Sequence, residues 1–151
     1  MDIKSQLKIY EGTLSYQKAK GIYRDGKFYP YKDSLGYWTI GYGKLIHGQE
    51  NTYKDGITEA QADAFLDADI TTARSDVRKL QVNLPLNSKW NHFLVLMVFQ
   101  LGLSKTLQFK KFLYALRNGN YSTAIVEVKD SAWYRQTPNR VDQMINEVLR
   151  G

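Results

Sequence analysis

Thr58-Glu59-Ala60-Gln61 is a capping box, and it constrains the fold more than any other stretch of the chain. The threonine oxygen there can take a free backbone N–H at a helix start while Gln61 reaches back to the threonine's own N–H. Behind it Ala62, Phe65, Leu66, Ile70, Ala73 and Val77 recur at helical spacing and line one apolar face, which predicts a long helix over about 58–80. Ahead of it the texture differs. From Thr13 to Ile46 the chain is rich in tyrosine and glycine in short alternating runs, with Asp25-Gly26 and Leu35-Gly36 as turns between short strands. Ile3, Leu7 and Tyr10 predict a helix over 2–11 that stops at Gly12.

Beyond the long helix, Leu84-Pro85-Leu86-Asn87 breaks the pattern and Ser88 can cap the next helix. Trp90 to Leu101 is apolar almost all round, as a helix buried in a bundle is. Helices come next over about Thr106–Asn118, closed by Gly119, over Tyr121–Lys129 and over Pro138–Leu149. The last begins Thr137-Pro138, an N-cap followed by proline at the first helical position. The expected fold is α+β in one domain spanning 1–151. It comprises a small antiparallel β lobe over about 12–56, the connecting helix, and a helical lobe over about 84–151 joined by 2–11, with a cleft between the lobes.

Composition narrows the chemistry. The chain has no cysteine, which removes disulfides, thiolate metal sites and cysteine nucleophiles. Its two histidines, His47 and His92, are not at ligand spacing, so no metal or other cofactor is expected and acid–base work falls to carboxylates. A formal charge of +6 favours an anionic partner such as a bacterial envelope polymer, nucleic acid or a membrane surface. The basic residues are dispersed rather than blocked, and a solvated basic surface explains them equally well. Met1-Asp2-Ile3-Lys4 lacks the apolar run of a signal peptide, and the longest apolar stretch, Phe93 to Phe99, is too short to span a bilayer. The expectation is a protein made in the cytoplasm and not inserted in a membrane.

The run from Tyr31 to Gly43 carries the functional signal. It supplies the carboxylate of Asp33 and, six residues on, the hydroxyl of Thr39, across a strand–turn–strand. Glu11 adds a second carboxylate at a helix end. Two carboxylates and a water-holding hydroxyl are what hydrolysis of a glycosidic bond requires. Each has an ordinary alternative. Glutamate at a helix end is usually a solvated charge, and it lies unfavourably against the helix dipole. Thr39 alone would be a strand residue. Asp25 competes with Asp33 but precedes Gly26, and a turn role explains it.

Glu11-Gly12, Tyr31-Lys32-Asp33, Gly36-Tyr37-Trp38-Thr39-Ile40-Gly41-Tyr42-Gly43, Val98-Phe99-Gln100-Leu101-Gly102 and Trp133-Tyr134-Arg135-Gln136-Thr137-Pro138-Asn139-Arg140 occur in that order. Together they resemble the phage-type lysozymes, glycoside hydrolase family 24, which include the endolysins of the T-even phages. The resemblance implies a peptidoglycan hydrolase that cleaves the β-1,4 bond between N-acetylmuramic acid and N-acetylglucosamine with inversion. Glu11 matches the general acid, Asp33 the carboxylate that assists the attacking water, and Thr39 the hydroxyl that holds that water. Carboxyl groups about 6.5–9.5 Å apart leave room for it. Arg140 matches an arginine that approaches the glutamate. Phe99 and Gln100 match the back of the cleft, where Phe99 also reads as core and Gln100 can order water or sugar. Tyr31, Gly43 and Leu45 complete the supporting or substrate-binding set. The implied setting is a monomer acting on the bacterial cell wall after release or delivery, in host lysis or wall degradation, with no nucleic-acid partner.

Two departures stand out. The 21 residues 12–32 separate Glu11 from Asp33, a longer gap than the family's. The excess, roughly Thr13 to Phe28, reads as a tolerated surface hairpin, an added subsite, a cover over the cleft or a docking element. Lys44 stands where the family often has histidine, and Asp69 lies where it would pair with Lys44. Rival functions are a lytic transglycosylase, which has no use for Asp33 and Thr39, and a non-catalytic or virion-associated wall-binding module with its cleft covered by the 13–28 segment.

Overall fold

The computed structural model describes residues 2–85 and 87–150. Leu86, part of the expected break, and the two terminal residues Met1 and Gly151 lie outside the described residues. The chain divides into two compact units, Met1–Ile70 and Thr71–Gly151.

The first unit runs α1 (Ile3–Glu11), α2 (Leu14–Ala19), β1 (Tyr23–Arg24), β2 (Lys27–Phe28), β3 (Tyr31–Lys32), β4 (Trp38–Ile40), β5 (Lys44–Leu45), β6 (Ile57–Thr58) and the first part of α3 (Glu59–Arg78). The Asp2 carboxylate accepts the Ser5 N–H at 2.7 Å and starts α1, which buries Ile3 and Leu7. Gly12 ends it with φ 106°, in the left-handed region that side chains avoid. Within the first unit α1 is tied to α3. Its Lys4 and Lys8, one turn apart, bind opposite oxygens of Asp63 in α3 at 2.7 and 2.8 Å, and Lys4 also meets Asp67 at 2.9 Å.

The β region starts later than its texture suggested, because α2 precedes it. Thr13 caps this helix by accepting the Tyr16 N–H at 3.1 Å. Two turns that bury only Gln17 leave no apolar repeat to detect. Asp25-Gly26 is the expected turn: with φ values of 53° and 76° it joins β1 to β2 as a two-residue hairpin of the kind that needs both residues left-handed. The strands form two antiparallel sheets, ordered β1-β2-β6 and β3-β4-β5. Phe28 on β2 is fully buried, edge-on to Tyr23 at 4.8 Å and to Tyr42 at 5.2 Å. The segment from Thr13 to Phe28 is therefore not a surface hairpin. It contributes a helix, a sheet edge and a core ring.

The capping box forms as expected: Thr58 N–H donates to Gln61 Oε1 at 2.9 Å, and Gln61 N–H donates to Thr58 Oγ1 at 3.1 Å. Along α3, Ala62, Leu66, Ile70, Ala73 and Val77 are buried.

The second unit holds the rest of α3, then α4 (Lys89–Leu101), α5 (Leu103–Leu107), α6 (Lys110–Arg117), α7 (Tyr121–Lys129), α8 (Ala132–Gln136) and α9 (Pro138–Leu149). Ser88 caps α4 through the Asn91 N–H at 3.0 Å, and Trp90 to Val98 are all buried apart from half-buried His92. The helix expected over 106–118 is two. Phe109 leaves helical geometry (φ −78°, ψ 61°), and its ring is edge-on to Phe112 at 6.4 Å and Trp133 at 6.3 Å. Thr137 also differs from expectation. Its hydroxyl donates to the Trp133 carbonyl at 3.1 Å, closing α8, while Pro138 opens α9. Among the described residues no helix is long and apolar enough to cross a membrane.

Candidate active site

Register across the second sheet brings three of the singled-out residues into one row. Thr39 on β4 lies opposite Tyr31 on β3 and opposite Leu45 on β5. Residues directly opposite in an antiparallel ladder share a face, so Tyr31, Thr39 and Leu45 line one side of the sheet. Leu45 is 58% exposed and Thr39 only 2%. The Thr39 hydroxyl donates to the Tyr37 carbonyl at 2.9 Å. With its proton engaged, it can act on a further group as an acceptor.

Asp33 sits one residue past β3, where the chain turns toward β4. Its Oδ1 accepts two backbone N–H groups, from Leu35 and Tyr37, both at 2.9 Å. Its own N–H donates to the Tyr37 carbonyl at 2.9 Å, and its carbonyl accepts the Gly36 N–H at 3.0 Å. Aspartate is suited to such a turn because its carboxylate can imitate a backbone acceptor. The turn orients the group and leaves Oδ2 without a hydrogen bond among the described residues.

Glu11 is the last residue of α1 and is half-buried. Its backbone is tied to the sheet that carries Thr39. The Tyr31 hydroxyl lies 3.2 Å from the Glu11 carbonyl and 3.2 Å from the Gly41 carbonyl. Gln17, from α2, donates from Nε2 to the Gly12 carbonyl at 2.8 Å and to the Gly41 carbonyl at 3.0 Å. Gly41 is buried with φ 62°, and a Cβ there would come within 3.0 Å of the Ala62 methyl. Sequence reasoning missed Gln17 altogether. Its only signal is a polar residue in a short stretch without periodicity.

Gly43 is half-buried with φ 89° and turns β4 into β5. Lys44 makes no close pair with Asp69: its ammonium rests 5.3 Å from the centre of the Phe65 ring. Burial pushes the Asp69 carboxyl above its ordinary value, and the Lys44 charge only partly opposes this.

The second unit holds Phe99, Gln100 and Arg140. Phe99 and Gln100 are half-buried at the end of α4. Trp133 Nε1 donates to Gln100 Oε1 at 3.0 Å, which fixes the amide orientation and leaves Gln100 Nε2 without a partner among the described residues. Arg140 is half-buried in the first turn of α9. Among the described residues no three His, Asp or Glu side chains converge as a metal site.

Comparison with known proteins gives this geometry a family. Probable T4-type lysozyme 1 of Dictyostelium discoideum is 28% identical over 148 residues, covering 80% of this chain and 85% of that protein. The Pre-baseplate central spike protein Gp5 of Enterobacteria phage T4 is 28% identical over 144 residues, 80% of this chain and 25% of the spike protein. Peptidoglycan hydrolase gp36 of Pseudomonas phage phiKMV is 27% identical over 119 residues, 78% of this chain and 13% of that protein. The phage lysozyme family model matches residues 24–147. Asp33, Thr39, Gln100 and Arg140 fall inside that stretch; Glu11 lies upstream of it, across the long gap before Asp33. A match over so much of the sequence shows that the chain belongs to the phage lysozyme family.

Proposed function

We propose that the protein is a peptidoglycan hydrolase that cleaves the β-1,4 bond between N-acetylmuramic acid and N-acetylglucosamine by a single displacement with inversion. The observation that carries this reading is the Asp33 carboxylate. Its own turn holds it by one oxygen and leaves the other oxygen to accept a proton from water. In the proposed reaction Glu11 gives a proton to the departing sugar oxygen. Asp33 takes one from the water that attacks the anomeric carbon from the opposite face, and the Thr39 oxygen helps orient that water. The place of Glu11 at the negative end of the α1 dipole suits an acid, since the dipole opposes an anion there. Arg140 is proposed as the cation that steadies the Glu11 side chain, and the buried Gln100 Nε2–H as a donor to an ordered water. The anionic wall polymer suits a protein of charge +6.

Digestion of purified peptidoglycan, with the released fragments read by mass spectrometry, tests the bond and the reaction type. Reducing N-acetylmuramic acid ends are expected. Anhydro ends would move the protein to the transglycosylases, and no release from a folded sample would favour a non-catalytic wall-binding module. Proton NMR of the first product formed from a soluble glycan reads the stereochemistry: the α anomer is expected, and the β anomer would refute the single displacement.

A further inference from the structure

The segment between Glu11 and Asp33 holds a glutamine whose environment is unusual. Gln17 is only 1% exposed, although it belongs to a two-turn helix on which Ser15, Tyr16, Lys18 and Ala19 are exposed. Both groups within reach of its nitrogen are carbonyls, those of Gly12 and Gly41, so the amide can stand only with Nε2 toward them. Both its N–H bonds are used. Its Oε1 is buried and has no hydrogen-bond partner among the described residues. Such an oxygen carries a desolvation cost, and a purely packing role would be served better by an apolar side chain of the same length.

The two carbonyls explain why a donor sits there. Gly12 follows Glu11 directly, and its left-handed φ leaves the end of α1 with no helical hydrogen bonds to continue. Gly41 follows β4, two residues beyond Thr39. One amide thus clamps the backbone after the proposed acid to the backbone after the proposed water-holding residue. The Tyr31 hydroxyl shares its one proton between the Glu11 carbonyl and the same Gly41 oxygen, 3.2 Å from each. Helix ends fray when nothing holds them, and fraying here would let Glu11 shift relative to Thr39.

We propose that Gln17 is a positioning residue, which acts through the Gly12 and Gly41 carbonyls to hold Glu11 at a fixed distance from the sheet that carries Thr39. The 13–28 segment is then part of the catalytic apparatus rather than an ornament on it. The role rests on the proposed muramidase activity, since it concerns the geometry of that reaction.

Gln17→Met keeps length and volume and removes both donors together with the unpartnered oxygen. The full-length variant and wild type are compared on a soluble peptidoglycan glycan, well below the melting transition. Placement errors near 1 Å can cost about a hundredfold in rate, so kcat is expected to fall roughly 10- to 100-fold. KM is expected to stay within a factor of about two, while the melting temperature falls, because the buried Gly12 and Gly41 carbonyls lose the amide donor and only one unpartnered oxygen goes with it. A kcat within about twofold of wild type, or a loss carried by KM alone, overturns the proposal. Should Gln17→Met not fold, Gln17→Asn withdraws the amide from both carbonyls by one methylene, and an unchanged kcat in that variant overturns the proposal equally. Wild-type protein that releases no fragments refutes the proposed function and the positioning role together; active wild type with active Gln17→Met refutes the positioning role alone.

Discussion

Replacing Phe28 by alanine tests whether the long segment between Glu11 and Asp33 is part of the fold. The ring is 0% exposed, lies edge-on to both Tyr23 and Tyr42, and sits on a strand that pairs with β1 on one side and β6 on the other. Truncating a buried phenylalanine removes its transfer free energy and leaves a cavity, together about 3–5 kcal/mol. A domain is stable by only about 5–15 kcal/mol, so the loss is severe. For a chain of this length each kcal/mol lowers the melting temperature by about 2–4 °C, which gives a fall of roughly 6–20 °C. Phe28→Leu keeps much of the apolar area and should lose mainly the two ring contacts, about 1–3 kcal/mol. Urea unfolding followed by far-UV circular dichroism and by tryptophan fluorescence measures both variants. The two probes also reveal whether the units unfold together, since Trp38 lies in one and Trp90 and Trp133 in the other. A cost below about 1 kcal/mol for Phe28→Ala would refute core burial and return the segment to the status of a surface insertion.

Two acidic residues should respond to pH in opposite directions. Hydrogen bonds from Lys4 and then Lys8 hold the Asp63 carboxyl below its ordinary value of 3.8. Its contribution is present above that value and is lost as pH falls through the folded-state value. Because the three side chains are about a third exposed, Asp63→Asn should cost no more than about 1 kcal/mol at pH 7, vanishing in strong acid and shrinking in molar salt; a cost that ignores both would contradict the ion-pair origin. Burial, opposed by Lys44, raises the Asp69 carboxyl above 3.8, so ionising it disfavours the folded state as pH rises through the folded-state value. Asp69→Asn should be neutral or stabilising at pH 7 and lose any advantage toward pH 3.8, and a strongly destabilised variant in thermal melts would show that Asp69 makes a bond Asn cannot.

Much of this architecture was legible in the chain because its signals are local. The capping box at Thr58 and Gln61, the apolar face of α3, the cap at Ser88 and the Asp25-Gly26 hairpin each depend on residues within one or two turns, and each is present. The failures share a cause as well. Two turns of α2 are too short for periodicity to register. At the break between α5 and α6 the Phe109 ring meets Trp133, a partner far along the chain that no local pattern reveals. Thr137 had two partners open to it, and its hydroxyl went to the preceding helix. At the site, Asp33 and Thr39 stood out because a turn and a strand of unusual composition carry them. Gln17 did not, because its role exists only once two glycine carbonyls, 29 residues apart in sequence, are brought to one nitrogen.

Glu11 bears the central claim, and it lies outside the stretch matched by the family model. Glu11→Gln keeps the shape of the side chain and removes its dissociable proton. The decisive measurement is the rate of release of reducing N-acetylmuramic acid ends by this variant and by wild type, alongside circular dichroism and binding to insoluble peptidoglycan. Loss of release by a factor of about a hundred or more, with fold and wall binding retained, is the expected result. Near-normal release by Glu11→Gln would contradict the account, because the proton for the leaving sugar would then come from elsewhere.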